Sequence, residues 1–189
     1  MFCGMCGKPT TPFHGGTRVR CVPCRNDIYP RTDTVVIVLV ENAARTHCLL
    51  GRGRNYPKGM YTCVSGFAEV CESLEEAAAR EVLEETGVIL GVRDVSYHSS
   101  QPWPVGNAAY AELMVACRAV AAEGAVINIG TGEELEAARW FSREELAPVI
   151  DMPLEKWSVL DGTLRLPAPY AVAHHLIKTF IAGAVTSKV

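Results

Sequence analysis

The chain has 189 residues, 49% of them hydrophobic and 21% charged, with a formal net charge of −3. That composition suits a folded globular protein and argues against disorder, and the length accommodates one compact core with a small appendage. The longest apolar run, Val35 to Val40, is far shorter than the roughly 20 residues a membrane helix needs, and no apolar secretory segment opens the chain, so no membrane partner and an intracellular, reducing compartment are expected.

The first 31 residues carry Lys8, Arg18, Arg20, Arg25 and Arg31 against Asp27, a balance of +4, which leaves −7 of the total −3 for the rest. A basic head thus precedes an acidic body, and the two either attract each other or the head meets phosphate. Within the head, Cys3-x2-Cys6 and Cys21-x2-Cys24 stand 14 residues apart. Two such turns can present four thiolates to one tetrahedral ion, which predicts a closed, structural Zn2+ site; a redox dithiol is the alternative. The division falls into residues 1–31, a zinc ribbon and connector, and residues 32–189, the main domain.

After the connector "IYPRTDT", the β-branched run "VVIVLVEN" predicts a buried strand, and "HCLLGRG" a second. "NYPKGMYTCVSGF" reads as a loop and strand leading to Gly66. A helix follows, with Ser73 as N-cap, Glu76 closing a capping box and Gly87 as its C-terminal stop. Strands are expected at "VRDVSYHSS", "YAELMVACRAV" and "AVINI", helices at "SREELAPVI" and "YAVAHHLIKTFIAG", and a long loop between Asp151 and Pro169.

The segment from Gly66 to Val88 packs seven carboxylates into 23 residues with Arg80 as its one cation. At about 100° per residue, Glu81, Glu84 and Glu85 project within a roughly 100° arc of the helix. Three carboxylates on one face suit a hard cation, Mg2+ or Mn2+, completed by substrate phosphate oxygens. An ion pair between Arg80 and Glu72 would pin the Gly66 loop against the helix.

The spacing Gly66-x5-Glu72-x7-Arg80-Glu81-Val82-x-Glu84-Glu85-x-Gly87-Val88 matches every position of the Nudix box. With the four-cysteine ribbon ahead of "YPR", "SQPWP" at Ser100 to Pro104, "EELEAARWFSREEL" and "LPAPYAVAHHLI", the chain resembles the zinc-ribbon NADH pyrophosphatase branch of the Nudix hydrolases. The likeness runs from Cys3 to about Ala182, without the additional N-terminal domain of that branch. It implies an α+β fold, a Nudix α/β/α sandwich with a mixed sheet, preceded by the ribbon.

The implied reaction is metal-dependent hydrolysis of the diphosphate of NADH or NAD+ to nicotinamide mononucleotide and AMP. Alternatives are removal of NAD caps from RNA, hydrolysis of ADP-ribose or another nucleoside diphosphate derivative, and, outside enzymology, a zinc-ribbon binding module on an inactive Nudix fold. The resemblance makes Glu81, Glu84, Glu85 and Glu134 metal ligands and catalytic residues, with Glu84 and Glu134 both candidates for general base. Gly66, Glu72, Arg80 and Gly87 are structural. Tyr29, Ser65, Phe67, Gln101, Pro102, Trp103, Pro104, Ala108 and Ala173 match substrate-binding positions. The branch signature continues with Phe, Pro and Ser where this chain has Val105, Gly106 and Ala108, which bears on substrate preference. The resemblance also implies a homodimer. The C-terminal Ser187-Lys188-Val189 is similar to a peroxisomal tail, so a peroxisome-like organelle stands beside the cytoplasm as a compartment.

Overall fold

In the computed structural model, which describes residues 1–104, 111–130, 134–153 and 163–183, the chain divides into two compact units. One comprises Met1–Asp33 with Trp103–Glu112, the other Thr34–Pro102 with Leu113–Val189. Val105, Gly106 and Ala108, together with Ser187, Lys188 and Val189, lie outside the described residues.

In the first unit, β1 (Thr11–Phe13), β2 (Arg18–Arg20) and β3 (Asp27–Ile28) form an antiparallel sheet, with Thr11 opposite Arg20 and Val19 opposite Ile28. Asp27 takes both forks of Arg20 at 2.6 and 2.8 Å and Arg18 at 3.1 Å. Both guanidinium groups also lie over the Phe13 ring, at 4.1 Å for Arg20 and 5.0 Å for Arg18. The Arg20 hydrogen bond holds the Asp27 carboxyl below its usual range. Two of the ribbon's arginines thus share its single carboxylate, and the balance of +4 stands.

The second unit is organised by β4 (Thr32–Glu41), whose period-two alternation sends successive side chains to opposite faces. Val36, Val38 and Val40 pack with Ala77, Ala78 and Val82 of α1 (Leu74–Thr86), whereas Ile37 and Leu39 pack with Leu146, Leu176, Ile177 and Phe180. Both faces of the strand are dry, which explains its unbroken apolar run. β5 (His47–Gly53) and β6 (Val64–Phe67) pair antiparallel with β4, setting Gly66 opposite Val36. β7 (Val95–Trp103), β8 (Ala111–Val120) and β9 (Leu135–Ser142) complete a six-stranded sheet of order β7-β8-β4-β5-β9, with β6 also on β4. The Ala121 N–H donates to Glu41 O at 2.8 Å, so the C-terminal ends of β4 and β8 lie side by side and those strands run parallel. The sheet is mixed, and with helices on both faces the fold is the expected α/β/α sandwich.

α1 carries the expected caps: Ser73 accepts from Glu76 N–H, Glu76 accepts from Ser73 N–H, and Gly87 adopts φ 70°. A side chain at Gly87 would also collide with Asn128 O, at 2.8 Å from an added Cβ. That contact explains why "AVINI" is not a strand: Asn128 N–H donates to Thr86 O at 2.7 Å, so this stretch packs against the end of α1 with Val126 exposed. The helix expected over "SREELAPVI" shortens to α2 (Arg143–Leu146), also closed by a capping box. α3 (Val172–Ile181) buries Leu176, Ile177 and Phe180 completely, each side chain adding about 1.5–3 kcal/mol. No described helix is long and apolar enough to cross a membrane.

Candidate active site and metal centre

Gly66 sits on β6 directly beneath α1, and an added Cβ there would lie 2.0–2.2 Å from the carboxylate atoms of Glu81. Only a glycine lets that carboxylate reach its place. Arg80 then locks the arrangement. Its Nε and Nη2 grip Glu72 at 2.7 and 2.9 Å, Nη2 also donates to Phe67 O at 2.8 Å, and Nη1 reaches Glu81 at 2.8 Å and Glu84 at 3.0 Å. Glu72 accepts in addition from Glu69 N–H at 2.8 Å. One guanidinium thereby ties the loop, the strand and two helix carboxylates together. The Arg80 hydrogen bond holds the Glu72 carboxyl at about 2.

Glu85, one residue beyond Glu84, points into a cavity of about 470 Å3 that Glu134, Ser65 and Tyr56 also line. Burial, and then the neighbouring charges of Glu134 and Glu81, push the Glu85 carboxyl up to about 8. Burial likewise raises Glu81. Arg80 engages Glu81 and Glu84, whereas the half-buried Glu85 and the exposed Glu134 line the cavity. Like charges crowded in a half-dry site are costly unless a cation joins them. Carboxylates are the donors a divalent, oxygen-preferring ion takes, but among the described residues only the four ribbon cysteines bring ligand atoms within 4.8 Å of one another.

Glu134 comes to this place immediately ahead of β9, a strand absent from the expected elements. β9 pairs antiparallel along the whole of β5, from His47 opposite Ser142 to Gly53 opposite Leu135, with a bulge at Glu136. Gly51 makes room for it: an added Cβ would lie 2.8 Å from Leu135 Cδ1. Gly51, inside a strand, was the available signal for this close approach.

The remaining candidates are spread differently. Ser65 lines the cavity, and Phe67 is 49% exposed at the end of β6. Gln101 spends both ends of its amide on the start of α3, donating to Tyr170 O at 2.6 Å and accepting from Val172 N–H at 2.8 Å. Ala173 is buried in the first turn of that helix. Trp103 is half-buried between the exposed Pro102 and Pro104. Tyr29 is 65% exposed in the ribbon unit, where its hydroxyl accepts from Arg18 at 3.3 Å. Sequence reasoning missed Arg54, Asn55 and Tyr56, which line the cavity from the β5–β6 connection.

In the ribbon unit, Cys3, Cys6, Cys21 and Cys24 bring their sulfurs within 4.8 Å of one another. The contacts Cys3–Cys24 and Cys6–Cys21 are 3.5 Å and Cys6–Cys24 is 3.6 Å. A disulfide needs about 2.05 Å, whereas four sulfurs about 2.3 Å from one ion stand about 3.8 Å apart along the tetrahedron's edges. The cluster thus has the dimensions of a four-thiolate metal site. Backbone N–H groups, that of Met5 foremost, hold the Cys3 thiol down at about 6, whereas Cys21 is pushed up to about 12 and Cys24 is also raised.

Comparison with known proteins follows the same lines. The family model for the NUDIX domain matches residues 30–162. The chain is 38% identical to "Nudix hydrolase 19, chloroplastic" of Arabidopsis thaliana, across 97% of this chain and 48% of that protein. It is 39% identical to "NAD-capped RNA hydrolase" of Schizosaccharomyces pombe, across 95% and 49%. To "NAD(P)H pyrophosphatase NUDT13, mitochondrial" of Mus musculus it is 38% identical, across 95% and 50%. The chain spans about half the length of these curated relatives. Among solved structures, a Nudix hydrolase from Nitrosomonas europaea shares the fold with a TM-score of 0.57, at 20% identity over 96% of this chain and 90% of that one.

Proposed function

The chain belongs to the Nudix family, and from that premise we propose that it hydrolyses the diphosphate bond of NADH or NAD+ to nicotinamide mononucleotide and AMP. The observation that carries this reading is the cavity that Glu85 and Glu134 line beside a Glu81 seated on Gly66. The names of the relatives from Schizosaccharomyces pombe and Mus musculus support a nicotinamide dinucleotide as the substrate.

Glu81, Glu85 and Glu134, with Glu84 beside them, would hold Mg2+ or Mn2+. When bound, that ion neutralises diphosphate charge, orients the attacking water and lowers its pKa. Arg80 and Glu72 fix the carboxylates before substrate arrives, so little ordering remains to be done at the moment of reaction. A water oxygen attacks one phosphorus, the bridging P–O bond breaks, and the bridging oxygen leaves with the other mononucleotide. The water's proton passes to a carboxylate. Of the two candidates Glu134 lines the cavity, whereas Glu84 is held by Arg80 at its rim, so we assign the proton to Glu134. The four cysteines would hold a structural Zn2+, and four thiolates would leave it no open position for the chemistry.

A second reading is removal of NAD caps from RNA by the same cleavage, favoured by the name of the yeast relative. Because Arg18 and Arg20 are tied to Asp27, an RNA contact on the ribbon would fall to Lys8 and Arg25. Turnover on capped RNA should then fall more steeply with salt than turnover on free NADH. The functional test is a Mg2+- and Mn2+-dependent product assay across NADH, NAD+, ADP-ribose, diadenosine diphosphate and NAD-capped RNA. Release of both mononucleotides from NADH is expected, and faster turnover of ADP-ribose would overturn the assignment. Sedimentation of the purified chain tests the homodimer we propose alongside.

A further inference from the structure

The cavity beside Glu85 has a wall that no motif marks. β5 ends at Gly53 and the chain turns back at once: Tyr56 N–H donates to Gly53 O at 3.1 Å, and Arg52 Nη1 reaches Tyr56 O at 3.5 Å. Arg52 is itself held by an ion pair with Glu136, the residue at the β9 bulge. The Tyr56 ring packs on Gly53, where an added Cβ would stand 3.6 and 3.7 Å from Cδ2 and Cε2. The ring is thus positioned by a turn, an arginine contact and a glycine face. One side of it remains open, at 42% exposure, in the wall of the cavity that Glu85 and Glu134 share.

A preordered aromatic face next to a cluster of carboxylates has two parts to its chemistry. The carboxylates, with their ion, take the anionic centre of a substrate. The ring offers an apolar, polarisable surface to whatever planar group is joined to that centre, and its fixed position removes most of the ordering cost. We propose that Tyr56 is a specificity-determining residue of this site, its ring face stacking on the heterocycle of one mononucleotide half while the carboxylates hold the diphosphate. The assignment rests on the dinucleotide reading above and names a residue that the family motifs do not contain. The contact is made by the face of the ring, so phenylalanine preserves it and alanine removes it.

The test is calorimetric titration of the full chain in Mg2+ with AMP, with nicotinamide mononucleotide and with inorganic diphosphate, for wild type, Tyr56→Phe and Tyr56→Ala. Tyr56→Ala is expected to weaken one of the two mononucleotides by about five- to 150-fold, the range of one base–aromatic stack. Inorganic diphosphate should bind unchanged, and Tyr56→Phe should stay within about twofold of wild type, as a ring-face contact requires. Equal binding of both mononucleotides by Tyr56→Ala and wild type would overturn the assignment. So would parallel loss of inorganic diphosphate, or a Tyr56→Phe variant as weak as alanine. These are binding measurements without turnover, so failure of wild type to cleave NADH would sink the dinucleotide reading while leaving the stacking result legible.

Discussion

Replacing Gly66 by alanine isolates the seat of Glu81 from every other feature of the site. The backbone at Gly66 is not in the left-handed region, so alanine meets no conformational barrier; the obstacle is the Glu81 carboxylate, 2.0–2.2 Å from the added Cβ. Glu81 must leave. It then loses its 2.8 Å bond to Arg80 and gains solvent, relieving the burial that raises its pKa. The lost charge-assisted bond, discounted for partial exposure, is worth about 1–2 kcal/mol. For a domain of this size that lowers Tm by about 2–8 °C. The effect on metal should be larger, because disturbing even an outer partner of a ligand costs about 10–100-fold in affinity, and here a ligand itself moves. Mg2+ titration of hydrolysis, alongside thermal melts of the metal-free protein, should show half-saturation shifted upward by about 100-fold or more with a modest fall in Tm. Wild-type Mg2+ dependence in Gly66→Ala would refute the placement of Glu81, and a collapse of Tm by more than about 20 °C would show that the fold rather than the ligand had been disturbed.

The other expectations concern separate groups. Glu72 is held at about 2 by Arg80, below its unfolded value of about 4.3. Its stabilisation is present above about pH 4.3 and lost as pH falls toward 2, so Glu72→Gln should melt lower than wild type at pH 7 and converge with it in acid. Glu85→Gln removes one of the crowded carboxylates, so the metal-free variant should melt higher than wild type at neutral pH while losing the Mg2+-induced rise in Tm and most turnover. A thiol-reagent titration should count Cys71 alone in the zinc-loaded protein, then Cys71 plus the four ribbon cysteines after chelation. Cys48, Cys63 and Cys117, which are buried, should react only on unfolding. Arg118 and Glu41 form a buried pair at 2.5 Å, so Glu41→Ala should cost about 3–5 kcal/mol and lower Tm by about 6–20 °C, read by differential scanning calorimetry.

The parts of this structure legible in the sequence are those with strong local chemistry. Ser73, Glu76 and Gly87 bracket α1 by capping rules that need no tertiary information, and the spacing of Glu81, Glu84 and Glu85 follows from helical geometry alone. The four cysteines announce themselves by pairing. β9 did not, because Glu136, Ala137, Ala138 and Arg139 favour helix intrinsically and the bulge at Glu136 breaks the alternation. It is a strand because β5 offers it an edge. "AVINI" failed in the opposite sense, since its β-branched residues suit a strand but Asn128 is taken by the end of α1. Tyr56 was invisible because its role depends on Gly53 turning the chain back toward residues far along the sequence. The site is legible where one element makes it and hidden where two must meet.

Hydrolysis of NADH in 18O-labelled water with Mg2+, followed by mass spectrometry of the products, tests the proposed chemistry most directly. Reduced nicotinamide mononucleotide and AMP should form in equal amounts, with one label on the phosphate of one product and none on either ribose. Release of free nicotinamide, label on a ribose carbon, or no mononucleotide from NADH would contradict attack of water on the diphosphate at this site.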